Sequence, residues 1–574
     1  MKTTRRTIAV GAVVAMSLSA LAGCSNNNNN DNNDNTTPSS AATTESQAPA
    51  LGQGEMANWA VGGTFKATEP LDISLMYRDH SNYPYKDSWL IISQLASQQN
   101  ITFDKTTIPL SDWGSQKPIV IGSGDVPDLI PVTYTSEQST YASGGAILPI
   151  SDYLSQMPNF QDKISKWNLQ PEIDTLKQAN GKFYVLPGIH QNVRFQYTIA
   201  INDTMWQKAG ITTDPKTWDE FATDLQKVKD ANGLQYAISD RWKMGSILAQ
   251  AAPNFGTIGG TVDASNTWGF GNGVFYNGTN FEYAGAMDEQ KAMLAYFADL
   301  TAKGLLDPDS LGQDDAPAIA KFTSRQTAAI SSNDQTIATD LRNTMMGDGN
   351  NDTVRLIRVP DGPAGGWVNA NHMESGLMVA NAAKDKPYFN ALLQYIDWMY
   401  YSDSGLEFGK WGVQCPSGVT DSTVCTFTKA ADGTRTLLPD IRLNGINQEG
   451  DGTTQKQLNA DYGFSNGVFM LANGSTADLE QSMFSDDATF LVDAMADKQT
   501  MPQALAPAAP LSEDDSTDAG IIQTQLTNIM VQDTVAYILG QKDINSDWDN
   551  HVQALKDAGM DQYIQYYNEA AGLA

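Results

Sequence analysis

The stretch NGKFYVLPGIHQNVRFQYTIAINDTMWQKAGITTDPKTWDEF, from Asn180 to Phe221, decides how the chain is read. NGKFYVLPG is a turn followed by a short apolar run, the pattern of a strand. YTIAIN, from Tyr197 to Asn202, is a second strand. DTMWQKAGI then reads as a helical turn that closes at Gly210, because glycine reaches the left-handed angles that end helices. Asp214, Pro215, Lys216 and Thr217 signal a helix start, and TWDEFATDLQKVKDANG runs as a helix to Gly233. Between the two strands lies GIHQNVRFQ, polar and aromatic and without periodicity. A loop rich in donors and rings, held between rigid strands, is a place for a binding site.

Working outward, LDISLMYRD (Leu71 to Asp79) enters a sheet. HSNYPYKDSW follows at its carboxyl end, where open α/β sheets bind ligands. WLIISQLASQQN is an amphipathic helix, NITFDKTTIPL a second strand, and Trp113 precedes a further helix. Beyond the opening stretch, MDEQKAMLAYFADLTAKGLLDPD is a long helix, HMESGLMVAN a strand and KPYFNALLQYIDWMYYSDSGLEFGKWGV helical. Strands alternating with helices indicate a mainly parallel sheet.

NGKFYVLP, a strand ending in IND, and KTWDEF together resemble the lobe-to-lobe crossover of bacterial extracellular solute-binding proteins of ABC importers. The sugar-binding branch and its long lipoprotein subgroup are the most similar. SGDVPDL (Ser123 to Leu129), KGLLDPD, VRLIRVPDGPAGG and the closing DINSDWDNHVQALKDAGMDQYIQYYNEA resemble elements of the same family, in order, over most of residues 70–570. WGVQCPSG, Trp411 to Gly418, departs from a glycine- and glutamate-containing turn usual in the subgroup. The resemblance implies an α/β, periplasmic-binding-protein-like fold, two α/β lobes joined by crossover strands with a ligand cleft between them. Lobe 1 would take residues 59–190 and 376–415, and lobe 2 residues 191–375 and 416–574. It also implies a monomeric receptor that captures an oligosaccharide by hinge closure and delivers it to permease subunits, without catalysis or cofactor.

The 574 residues suffice for two or more domains. A net charge of −30 argues against nucleic acid, whose phosphates need a basic face, and against docking on anionic lipid. Residues 1–23 read as a signal peptide, with Lys2, Arg5 and Arg6 ahead of an apolar run too short for a stable span. The run ends in Leu21–Ala22–Gly23–Cys24, which looks like a bacterial lipobox with Cys24 as the lipidated residue. The alternatives are an ordinary signal peptide with an incidental cysteine, or an uncleaved anchor. Residues 24–58, with an Asn-rich tract, read as a disordered tether. The chain is therefore expected outside the cytoplasmic membrane, lipid-anchored, on a Gram-positive surface rather than in a periplasm. Cys415 and Cys425 suggest a disulfide in an exported chain, with two free thiols as the alternative.

HExxH, GxxxxGK[ST] and EF-hand spacings are absent from the sequence. His80, His190, His372 and His551 show no metal spacing. With 66 carboxylates, a glycosidase-like pair can be assembled from almost anything, so that signal decides nothing. A sugar has polar edges and C–H faces; rings cover the faces, and directed polar groups satisfy the hydroxyls. The candidates are Tyr83, Trp113, Tyr134, His190, Asn192, Arg194, Trp242, Trp268, Asn333, Asp334, Trp367, His372 and Trp411. For each ring, core packing is the competing reading. Trp398, inside an apolar helix, is assigned to the core. An exported polysaccharide-degrading enzyme, an adhesion or cell-wall protein, and a receptor for a peptide or other polar solute remain alternatives.

Overall fold

The computed structural model describes residues 51–80, 83–138, 141, 144–178, 180–193, 195, 197–264, 268–333, 336–345, 351–442, 455–469, 474–479 and 486–573. The expected signal peptide, Cys24, the tether up to Ala50, and the candidates Arg194 and Asp334 lie outside the described residues.

In chain order, β1 (Leu71–Asp79), β2 (Ile101–Pro109), β3 (Leu129–Thr133) and β4 (Leu186–Ile189) come first. Then come β5 (Tyr197–Asn202), β6 (Val274–Tyr276), β7 (Phe281–Tyr283), β8 (Ala329–Asn333) and β9 (Val354–Ile357). The chain returns through β10 (Trp367–Val368) and β11 (Met373–Val379).

A five-stranded sheet has the order β2-β1-β3-β11-β4. β1 runs parallel to β2 over its whole length, from Leu71 opposite Ile101 to Asp79 opposite Pro109, and parallel to β3. β11 is antiparallel to both β3 and β4. A second sheet, β8-β5-β9, is antiparallel throughout. The mainly parallel sheet expected from the strand–helix alternation thus holds only for β1 to β3. β11 enters its sheet after the excursion through β5 to β9 and runs against its neighbours.

The opening stretch folds largely as its residues dictate. Asn202 accepts a hydrogen bond from the Met205 N–H at 3.1 Å and starts a helix, Asp203–Lys208. Gly210 follows with φ 78°. The Thr217 hydroxyl accepts from the Glu220 N–H at 3.2 Å, capping the helix Trp218–Asn232, and Gly233 ends it at φ 67°. These caps satisfy backbone donors that would otherwise be orphaned at the helix start.

Each sheet carries its own apolar core. Around the first pack Ile73, Leu75, Ile130 and Leu377, together with Leu392, Ile396 and Trp398 of the helix Phe389–Tyr401. Around the second pack Ile199, Ile201, Trp218, Phe221, Leu248 and Phe297, joined by Tyr537 and Trp548 from the carboxyl-terminal helices. Residues 416–574, expected in the second lobe, do not all lie there: Leu438, Leu458, Tyr462, Phe464 and Phe469 are buried in the first core. Residues 51–58, expected in the tether, do not all belong to it: the Gln53 N–H donates to the Pro387 carbonyl at 2.9 Å and the Met56 N–H to Gln394 at 2.8 Å, seating this polar segment on the first core. Cys415 and Cys425 are bonded to each other. Among the described residues no helix is long and apolar enough to cross a membrane.

Candidate functional site

The register of the sheets brings particular residues to their edges. At one edge of the first sheet, β1 ends in Arg78 and Asp79, β3 ends at Thr133 before Tyr134, β4 ends before His190, and antiparallel β11 begins at Met373. In the second sheet Tyr197, the first residue of β5, lies opposite Asn333, the last of β8. The Tyr134 phenol is within electrostatic reach of Arg78 and Glu374 on the first sheet and of Tyr197 on the second.

On the first side, the His80 imidazole stacks on the Tyr83 ring with centroids 4.3 Å apart and planes 7° from parallel. Burial, and then the neighbouring Arg78 charge, lower the His80 pKa. The Tyr83 hydroxyl lies within electrostatic reach of Arg78, and burial raises its pKa. Tyr134 is 55% exposed.

On the second side, Tyr197, Trp242 and Trp268 form a mutually edge-on trio. Tyr197 lies 4.9 Å from Trp268 and 6.1 Å from Trp242, and the two indoles are 5.5 Å apart. Trp242 opens a run of three residues, Trp242, Lys243 and Met244, with φ of 50°, 52° and 62°. Left-handed angles at non-glycine residues cost energy and persist only where the surroundings hold them. Here the Arg241 guanidinium lies 3.8 Å from the Trp242 ring centroid. The buried Asp240 carboxylate accepts from the Ser331 and Ile247 N–H groups at 3.0 and 3.2 Å, and burial raises its pKa. The Lys243 N–H donates to the Gln313 carbonyl at 2.9 Å. The turn is thereby fixed, and the indole is presented beside Tyr197.

A cavity of about 300 Å³ opens beside this trio, lined by Tyr197, Trp268 and Trp367 and by polar groups of Gln250, Asn254 and Asn369. Rings with a few directed polar groups suit a ligand with C–H faces and hydroxyl edges. Trp367 also borders a smaller space, about 260 Å³, with Arg358, Asp361 and Asp497. Lys498, buried there, donates to Asp361 and to Asn254, each at 2.7 Å.

The remaining candidates fall elsewhere. His190 is only 2% exposed, with Nε2 2.9 Å from a Glu374 oxygen, so it is a buried, paired group rather than one facing open solvent. His372 pairs through Nδ1 with Glu172 at 2.6 Å. Asn192 is half-buried in the loop. Asn333 Oδ1 accepts from the Thr336 N–H at 2.6 Å, a local turn bond. Trp113 lies buried in the first core with Lys117 over its ring. Trp411, 3% exposed, packs on Phe427, Leu406 and Leu479. Both tryptophans are core rings, because their helices turn them inward. Arg78, Tyr197 and Glu374 were not singled out. Their signal was position alone, at the termini of strands whose edge became defined only on pairing. Among the described residues no group of three or more His, Cys, Asp or Glu is placed to hold a metal ion.

The chain folds as an α/β protein with a separate apolar core around each of its two larger sheets. A family model, bacterial extracellular solute-binding protein, matches residues 98–404, more than half of the chain, and the protein belongs to that family. Solved structures share the fold. An extracellular solute-binding protein from Bifidobacterium longum subsp. infantis has a TM-score of 0.63 at 16% identity, covering 89% of this chain and 99% of its own. The alginate-binding protein AlgQ2 gives 0.61 at 16% identity, with the same coverages. The S. pneumoniae ABC-transporter substrate-binding protein FusA in complex with kestose gives 0.57 at 18% identity, covering 88% and 99%. No curated protein matches the chain in sequence.

Proposed function

We propose that this chain is the receptor of a carbohydrate ABC importer, that its ligand is an oligosaccharide, and that two lobes close on it by a hinge. The observation that carries the reading is a cavity bordered by the rings of Tyr197 and Trp268 and by amide side chains, with Trp242 packed edge-on against both rings, on the sheet whose edge residue Tyr197 is within reach of Tyr134. Solved relatives whose names include alginate and kestose support it. The first lobe would comprise residues 59–190 and 376–415 with 416–469 added, since the latter share its core; 191–375 and the carboxyl-terminal helices would form the second. The crossing segments near His190 and His372 would be the hinge. Cys24 would carry the lipid that holds a monomer at the outer face of the membrane, beside its permease.

Calorimetry of the purified protein against a panel of neutral and acidic oligosaccharides tests the ligand class. Saturable binding without product formation is expected; cleavage of a bound glycan points instead to the degrading enzyme. Cys24→Ala should abolish palmitate incorporation and release the protein from membranes, and retained labelling overturns the anchor.

A further inference from the structure

Acidic side chains outnumber basic ones in this chain by 66 to 36, so an arginine finds a carboxylate easily. Arg78 does not. It stands at the carboxyl end of β1, half-buried, and among the described residues no carboxylate pairs with it. Its Nε is buried and makes no hydrogen bond. The nearby carboxylates are committed elsewhere. Asp79 accepts from the Tyr85 N–H at 2.9 Å. Glu137 holds Lys117 with one oxygen and the Tyr134 N–H with the other, both at 2.7 Å. Glu374 holds His190.

The guanidinium is nevertheless fixed. The Tyr83 hydroxyl stands beside it, and the Tyr83 ring is held in turn by the His80 stack. A Cβ at residue 467 would stand 3.3 Å from an Arg78 Nη and 3.7 Å from the Tyr83 hydroxyl, so glycine there leaves the space that the fork occupies. A planar fork of five donors, positioned but without an anion, matches a carboxylate in two parallel hydrogen bonds.

We propose that Arg78 recognises a sugar carboxylate, so that the oligosaccharide taken by this site contains an acidic residue of the uronic or sialic class. This rests on the oligosaccharide reading above and narrows it. Tyr83 and Tyr134, both within electrostatic reach of the guanidinium, would serve as rings for the sugar body, and Arg78 supplies the charge complement. The chain's net charge of −30 repels an anionic ligand at long range, so selectivity for it must come from a local cation such as this one.

The test is calorimetry of the full-length protein with uronic-acid oligosaccharides, a sialylated oligosaccharide, and the carboxyl-reduced neutral counterpart of each. At least one acidic glycan should bind about 10- to 150-fold more tightly than its neutral counterpart, the range for a hydrogen bond to a charged group. Arg78→Gln should erase that ratio, bringing acidic-glycan affinity down to that of the neutral counterpart, with a melting curve confirming that the variant is folded. Arg78→Lys should restore part of it, since the charge remains but the fork is lost. Neutral glycans that bind as tightly as acidic ones, or a ratio that survives in Arg78→Gln, overturn the inference and leave the receptor reading intact. A protein that binds no glycan of either kind overturns both.

Discussion

The His190 N–H donates to the His372 carbonyl at 2.8 Å, joining the two segments that pass between the sheets. Each imidazole is further held by a glutamate, His190 by Glu374 at 2.9 Å and His372 by Glu172 at 2.6 Å.

His190→Ala should therefore reduce stability, contrary to the solvent-facing role expected from its loop. Losing a buried partner of Glu374 costs about 1–3 kcal/mol. Urea denaturation should show a lower midpoint with an unchanged slope, and His190→Gln, which retains a donor, should lose less. An unchanged midpoint in His190→Ala rejects the structural role.

Trp242→Ala and Trp268→Ala should each weaken glycan binding by roughly 1–3 kcal/mol, about 5- to 150-fold. The indoles touch edge-on at 5.5 Å, so the double variant should lose less than the sum of the single losses. Strict additivity in calorimetry shows that the rings do not support one another.

Trp398 is 2% exposed, and its indole N–H donates to the Ser404 hydroxyl at 3.1 Å. Trp398→Ala should leave a cavity and destabilise the protein by about 3–5 kcal/mol. Glycan affinity measured well below the melting temperature should be retained.

Burial pushes Asp533 up, but His551 and Lys542, each 2.7 Å away, hold its pKa below the ordinary 3.8. A depressed carboxylate stabilises the fold above its unfolded value, and that contribution is lost as the pH falls through the folded value. Asp533→Asn should be less stable than the natural protein at neutral pH. The two melting curves should converge below about pH 4. A difference that is constant with pH excludes the charge as its origin.

Cys415 and Cys425 close a loop with a sequence separation of 10. Mass spectrometry of a non-reduced digest should recover the linked peptides. Replacing both by serine should cost roughly 2–3 kcal/mol by the loop-closure relation. Two alkylatable thiols in the native exported protein reject the pairing.

The local elements were legible in the sequence. β1 spans Leu71–Asp79 as its apolar pattern predicts, and the helix Trp218–Asn232 begins at Thr217 and ends at Gly233, because caps and periodicity act within a few residues. The order of the family-like motifs set the fold class. Sheet order, in contrast, depends on pairings between residues far apart, such as Gly376 with Thr133 and Met373 with Ile189. Local propensity carries no information about those partners. The same limit governed the site. Trp113, Trp242, Trp268 and Trp411 are equivalent aromatic letters in a sequence. Packing buries Trp113 and Trp411 and sets Trp242 and Trp268 beside Tyr197. Likewise Arg78 lies near the end of a strand in the sequence, and only tertiary structure commits Asp79, Glu137 and Glu374 to other partners. Composition and short-range geometry determined the elements; burial and long-range pairing decided which side chains enter a core and which are left at the strand ends.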